Sequence, residues 1–282
     1  MIGQYELRSR IDDLINSNKF PHFCIIEGTV GSGRKTMVRY IHDVMEDSVL
    51  MWMQNTVDDV RLAISKAYKG GGDMIYAFAD VDNLSMSAQN ALLKITEEPP
   101  SNTYFILTVS NANNVLDTIR SRAYIFKMDA YTHVELREFL SIYADGPSKD
   151  IALKLCDTPG EIQLLYTNDA EKLYNFGQKV MDNIGVVSVA NAMKIADSIA
   201  FTNTDEDKFD LRLFWKAIIV HAMTHIKTID YLGLDVNELH IISNVVKTTE
   251  ECIQMVTRTR GINKRNVFDM WILDIREILR GE

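Results

Sequence analysis

The residues with the clearest chemical potential lie in GTVGSGRKT, Gly28 to Thr36. A glycine-rich turn entering a helix frees consecutive backbone N–H groups to face a phosphate, and the helix N-terminus adds a favourable dipole. A phosphate loop places a glycine, four residues, and then Gly-Lys-Ser/Thr. Counted from Gly28, the second glycine is Gly33, Arg34 takes the lysine place and Lys35 the hydroxyl place. Arginine is a planar fork that aims differently from a compact ammonium, so the exchange is not conservative. Lys35 puts positive charge where a Mg²⁺ ligand belongs, and taking Lys35 with Thr36 as the working pair makes the loop one residue too long. Gly28, Gly31, Gly33, Arg34, Lys35 and Thr36 therefore read as a degenerate phosphate loop. Weak binding of ATP, ADP or phosphate, with no required cofactor and no metal, is the expectation; a glycine turn without ligand is the plain alternative.

Other constellations carry less. His221 and His225 are four apart on an expected helix and share a face, as a metal pair would. Ala222 follows the first where a zinc hydrolase has glutamate, and no third ligand can be named, so ordinary helix packing is expected. Arg258, Arg260, Lys264 and Arg265 form the most basic local cluster of the C-terminal region, flanking a turn or holding a neighbouring subunit. Met51, Trp52 and Met53 read as sheet packing. Cys24, Cys156 and Cys252 are odd in number, widely spaced and set in apolar stretches, which suits buried thiols in a reducing compartment.

These groups need a scaffold, and the chain can build one. Of 282 residues 46% are apolar and 24% charged, enough for two domains and against disorder. With 39 acidic against 30 basic side chains the net charge is −9, so nucleic-acid contact must be local or shared with partners. No apolar run reaches membrane-spanning length and no leader pattern opens the chain, which suggests a cytosolic protein. Five β-type runs fall at His22 to Glu27, Val49 to Gln54, Met74 to Ala79, Thr103 to Val109 and Ala123 to Met128. Helical periods between them, at Thr36 to Met45, Val57 to Tyr68 and Ala88 to Glu97, predict a five-stranded, mainly parallel sheet with helices on both faces. The third and fourth runs are almost continuously apolar, as central strands are.

After Met128 the strand signal stops. Thr132 caps an amphipathic run, Asp145 to Pro147 turn into a second helix ending near Cys156, and Thr158, Pro159 and Gly160 precede a third. Residues 131–168 thus form a three-helix unit. Residues 169–282 carry roughly five helices, interrupted at Thr202 to Asp210, Leu232 to Asp235 and Gly261.

Leu84 to Ala123, LSMSAQNALLKITEEPPSNTYFILTVSNANNVLDTIRSRA, resembles the AAA+ clamp-loader subunits, whose pattern is an acidic strand end, AQNALLKxLEEPP, an apolar strand and TIRSRC. Ile2 to Gln4, Asn18 to His22 and Gly261 to Leu279 are similar to the same family. The resemblance implies an AAA+ core over 1–130, a lid over 131–168 and a helical collar over 169–282. Ala79 stands where ATPase members carry a metal-binding Asp, and Asp80 where they carry the Glu that orients water. Glu161 follows Pro159 and Gly160 where active members begin the third lid helix with a phosphate-sensing arginine. The sensor at the end of the fourth strand falls at Thr108, Val109 or Ser110, and the family's zinc cysteines are absent.

Losing the metal carboxylate removes positioning and electrostatic stabilisation together. These departures point, within the family, toward its delta-prime type, an accessory subunit of the DNA polymerase III holoenzyme without ATPase activity of its own. Ser121 to Ala123 keep the family's Ser-Arg-Cys motif except its last residue. The resemblance gives Arg122, with Ser121 beside it, the role of an arginine finger in a neighbour's ATP site, Arg120 being the weaker candidate. It implies gamma/tau-type and delta-type partners, indirect action on a sliding clamp and primer-template DNA inside a pentameric ring. An active gamma-type ATPase using Lys35, Thr36 and Asp80 is the alternative; a small-molecule kinase lacks an acid/base cluster.

Overall fold

The structure, a computed structural model, describes residues 2–69, 72–81, 84–97, 100, 102–167, 169–201, 208–230, 236–259 and 261–281; the side chains of 94, 226–230 and 258 are left aside. It divides into two compact units, Met1–Phe139 with Thr158–Gly160, and Leu140–Asp157 with Glu161–Glu282.

In the first unit the five β-type runs become β1 (Phe23–Glu27), β2 (Val49–Met53), β3 (Met74–Phe78), β4 (Thr103–Val109) and β5 (Tyr124–Lys127). Their order is β2-β3-β4-β1-β5, and every pairing in this sheet is parallel. Period-2 alternation sends Phe23, Ile25, Tyr76, Phe78, Phe105 and Leu107 to one face, and Cys24, Ile26, Ile75, Ala77 and Ile106 to the other. Both sets are buried, which is why the runs in β3 and β4 lack polar alternation. On the first face lie α3 (Val57–Ala67) and α4 (Met86–Glu97); on the second lie α1 (Tyr5–Asn16) and α2 (Arg34–Val44).

Helix α1 has no counterpart in the periodicity reading. Its apolar stripe is short, with Leu7 and Ile11 buried, each worth about 1.5–3 kcal/mol. Edge strand β2 is less enclosed than its composition suggests: Met51 and Met53 pack into the core, but Trp52 is 37% exposed. A 3₁₀ turn at Ala112–Asn114 and the short helix α5 (Asp117–Arg120) separate β4 from β5. Thr132 caps α6 (His133–Leu140) through a reciprocal box, its hydroxyl accepting from the Glu135 N–H and its own N–H donating to the Glu135 carboxylate at 2.7 Å.

The second unit is helical: α7 (Pro147–Leu155), α8 (Pro159–Thr167) from Glu161 onward, α9 (Ala170–Asn183), α10 (Val189–Met193), α11 (Leu211–Asp230), α12 (Val236–Arg258) and α13 (Lys264–Arg280). Asp169, Ser188 and Asn263 each accept a backbone N–H at the helix start they precede. Its core gathers Phe214, Trp215, Phe268 and Trp271, and the Trp271 Nε1–H donates to Thr249 at 3.0 Å. The expectation that strands cease after Met128 needs one correction. Ile199–Ala200 (β6) pairs in parallel with Phe209–Asp210 (β7), runs too short to register as a strand period. The segments expected as breaks at 202–207 and 232–235 lie outside the described residues, as does the expected lid boundary at 168.

Thr249→Val keeps shape but strands the buried indole N–H. The expected outcome is a loss of about 1–3 kcal/mol, measured by denaturant unfolding of the intact chain.

Candidate functional site

β1 delivers the glycine turn to the carboxyl edge of the sheet, where β3 and β4 also end. Gly31 and Gly33 take left-handed φ of 83° and 92°, which side-chain-bearing residues adopt only at a cost. Three successive carbonyls of the turn are held from outside. Val30 accepts from the Thr158 hydroxyl at 3.3 Å, Gly31 from the Gly160 N–H at 2.9 Å, and Ser32 from the Tyr131 hydroxyl at 2.8 Å. The Gly160 contact is so close that a Cβ there would lie 2.5 Å from the Gly31 Cα. Gly28 is hemmed in too, with a notional Cβ 2.6 Å from the Ser32 hydroxyl.

α2 begins at Arg34, with Gly33 as its cap. The Arg34 Nη2 meets the Asp80 Oδ1 at 2.7 Å, and the Arg34 side chain is only 10% exposed against 38% for Asp80. The other terminal nitrogen, Nη1, is buried with no hydrogen-bond partner among the described residues. Lys35 and Thr36 sit on the solvent face of α2. Of the two registers open to the sequence, the geometry therefore places Arg34 against the acidic strand end. Asp80 has a left-handed φ of 54°, and its N–H donates to the buried Thr108 hydroxyl at 3.0 Å. Of the three candidates at the end of β4, Thr108 bonds the Asp80 backbone. The Ala79 carbonyl accepts from the Asn55 amide. Asp82 and Asn83 lie outside the described residues.

In the second unit Glu161 is buried against a lysine. Its Oε2 accepts from the Lys216 ammonium at 2.8 Å and the Asp157 N–H at 2.9 Å, and Lys216 also reaches Asp157 Oδ2 at 2.7 Å. Burial pulls the Lys216 pKa down, but the attraction of Glu161 and Asp157 outweighs it and leaves the group above its ordinary 10.5. Nothing in the sequence pattern pairs Lys216 with Glu161, because the partners are distant in the chain.

The Ser-Arg-Ala motif follows α5. Arg120 is the last residue of that helix. What separates the two arginines is how firmly each is held. Arg120 is clipped by Asn113 Oδ1 and Asp117 Oδ1, both at 2.7 Å. Arg122 is 41% exposed, donates through Nη1 to the Thr118 carbonyl at 2.9 Å, and has Nη2 3.3 Å from Glu97 Oε1. Ser121 is exposed, its hydroxyl 3.3 Å from the Thr118 carbonyl. The segment entering α5 is positioned by Gln89, 1% exposed, whose Oε1 accepts the Leu116 N–H at 2.9 Å and whose Nε2 donates to the Leu84 carbonyl at 3.3 Å. Sequence reading passed over Gln89; a polar residue beside the buried Ala88 and Leu92 was the available signal.

The remaining candidates have local explanations. The buried His221 ring bonds the Tyr174 carbonyl through Nε2 at 2.9 Å, and burial pushes its pKa down. No metal-holding group of His, Cys, Asp or Glu occurs among the described residues. Arg265 pairs with Asp269 and lies over the Phe201 ring; the side chains of Arg258 and Arg260 lie outside the described residues. Cys24, Cys156 and Cys252 are free and buried, and burial pushes the Cys252 thiol up to about 12. No helix among the described residues is long and apolar enough to cross a membrane.

A parallel sheet with a glycine turn after its first strand and an acidic residue after its third has the architecture of an AAA+ unit. A solved Thermotoga maritima DNA polymerase III gamma subunit-related protein shares that fold at a TM-score of 0.51 and 15% identity, over 96% of this chain and 99% of that one. Residues 15–132 match the family model described as DNA polymerase III, delta subunit. The Natronomonas pharaonis replication factor C small subunit is 29% identical over 160 residues, 51% of this chain and 48% of the relative. The Buchnera aphidicola DNA polymerase III subunit delta' is 36% identical over 75 residues, 26% of this chain and 23% of that relative. The chain thus spans about half the length, or less, of these two curated relatives. The likeness to clamp-loader subunits is carried by this segment, residues 15–132.

Two outcomes test this geometry. Gly160→Ala pushes a methyl into the Gly31 backbone, which cannot swing aside, and should cost about 1–3 kcal/mol in thermal or denaturant unfolding. Lys216→Met leaves Glu161 buried without its cation and should cost about 3–5 kcal/mol at neutral pH. Because the folded pKa of Lys216 is raised, its stabilisation is whole below 10.5 and fades as pH climbs through the folded value. The gap between wild type and Lys216→Met should therefore narrow as the solution is made strongly alkaline.

Proposed function

We propose that this chain is a delta-prime-type clamp-loader subunit, a member of a pentameric ring that places a sliding clamp on primer-template DNA. It hydrolyses no ATP itself and lends Arg122 to the ATP site of a neighbouring gamma/tau-type subunit. The observation that carries this reading is the 2.7 Å pair between Arg34 and Asp80. The cation that would face a nucleotide's phosphates and the carboxylate that would orient its water neutralise each other instead. Ala79 supplies no metal carboxylate, Lys35 and Thr36 face solvent, and Glu161 supplies negative charge where a phosphate sensor would be positive. Weak phosphate or nucleotide contact through the N–H groups of the glycine turn is compatible with this chemistry; ordered hydrolysis is not.

Arg122 has the opposite character. Its guanidinium is exposed and lightly held, and a fork of this kind supplied in trans is worth about 10³–10⁵ in rate where phosphoryl transfer depends on it. An active gamma-type ATPase would need Lys35 and Thr36 to turn inward and Asp80 to release Arg34.

The isolated chain incubated with ATP and Mg²⁺ should show no turnover above background; sustained hydrolysis would favour the gamma-type reading. In the complex reconstituted with its gamma- and delta-type partners, Arg122→Ala should lower ATP turnover by at least tenfold without dissociating the ring. Unchanged turnover would remove the finger assignment.

A further inference from the structure

Arg122 has two tethers within its own chain, and they differ in kind. The Thr118 carbonyl, 2.9 Å from Nη1, belongs to the backbone of α5 and steadies the base of the fork. Glu97, 3.3 Å from Nη2, is an exposed side chain, 61% accessible, on the final residue of α4. A carboxylate at that end of a helix meets the negative pole of the dipole, so its placement does not serve α4. A cation across the gap offsets that placement, and Arg122 is the cation there. The buried Gln89 amide, fastened to Leu116 ahead of α5, keeps the two helices in register so that the ends can meet.

We propose that Glu97 is the resting counter-ion of Arg122, holding the guanidinium in the unassembled chain and yielding it to a polyphosphate presented by a neighbouring subunit. The inference rests on the trans-finger reading and adds a positioning residue to it. A carboxylate oxygen and a phosphate oxygen are the same kind of acceptor for a guanidinium nitrogen, so one replaces the other without rebuilding the site. The exchange is easy because an exposed, single-bonded pair is screened by salt and weakly held. It runs toward the phosphate because that anion carries more charge and sits where an interface excludes water. Arg120, clipped twice at 2.7 Å within its own loop, has no such freedom.

Glu97→Gln preserves shape and removes only the competing charge. In the reconstituted complex its KM for ATP should fall by about two- to fivefold, the range of an exposed ion pair, with kcat unchanged and the difference shrinking as salt is raised. In an Arg122→Ala background the same substitution should do nothing. Matching thermal unfolding of the Glu97→Gln and wild-type chains establishes that the fold is intact. An unchanged or raised KM, in a complex where Arg122→Ala does lower turnover at least tenfold, overturns the counter-ion role while leaving the finger in place. If Arg122→Ala itself leaves turnover intact, the finger reading fails, and with it this inference.

Discussion

The Arg34–Asp80 ion pair is the interaction on which the functional reading depends. A buried guanidinium needs hydrogen-bond acceptors, and a carboxylate also offsets its charge, because desolvation would otherwise cost several kcal/mol. Arg34 sits at the start of α2, fixed by the glycine turn, and Asp80 stands just beyond β3, two sheet positions away. Only a parallel sheet that ends both β1 and β3 on one edge brings them together. Once joined, each group is withdrawn from other work. The same edge that would have presented separated charges to a nucleotide is closed on itself, with Thr108 holding the Asp80 backbone and Gly160 seated against Gly31.

A second reversal of charge occurs independently. Glu161 is held by Lys216 and the Asp157 N–H, so its negative charge is satisfied inside its own unit rather than left for a ligand. The two arrangements have a common logic. In each, a residue of the wrong sign or shape for phosphate chemistry has acquired an intramolecular partner that makes it a structural element. Removing one partner leaves the other's charge uncompensated, which gives both pairs a part in folding.

Much of the fold was legible because its signals are local. β-type runs bounded by turns, and helices with a buried stripe, gave five strands whose ends moved by a residue or so: His22 and Ala123 fell outside their strands, and the third helix gained Met86 and Ser87. Helix α1 escaped because two buried positions among charged neighbours make a faint period. At the site, the sequence marked which residues stand in the glycine turn, but two registers fitted it. Burial of Arg34 and exposure of Lys35 distinguish them, and burial is decided by the whole sheet. The partners of Arg122, Glu161 and Gln89 were illegible for the same reason: contacts between distant segments leave no periodic trace.

The arginines of this chain are graded by confinement, and the gradient argues for their roles. Arg276 is 3% exposed and bonds the Ile184 carbonyl at 2.6 Å; Arg34 is nearly as enclosed, with its Nη2 held by Asp80. Arg120 is intermediate, with both terminal nitrogens committed to its own loop. Arg122 alone of these four combines solvent exposure with a single long contact to a carboxylate. A group that must act on another molecule has to satisfy two opposing demands. It must be ordered enough that little entropy is lost on engagement, yet bound loosely enough that its resting partner can be displaced. The Thr118 carbonyl meets the first demand and the 3.3 Å separation from Glu97 meets the second. Strengthening that separation into a paired, buried bridge would turn Arg122 into another Arg34.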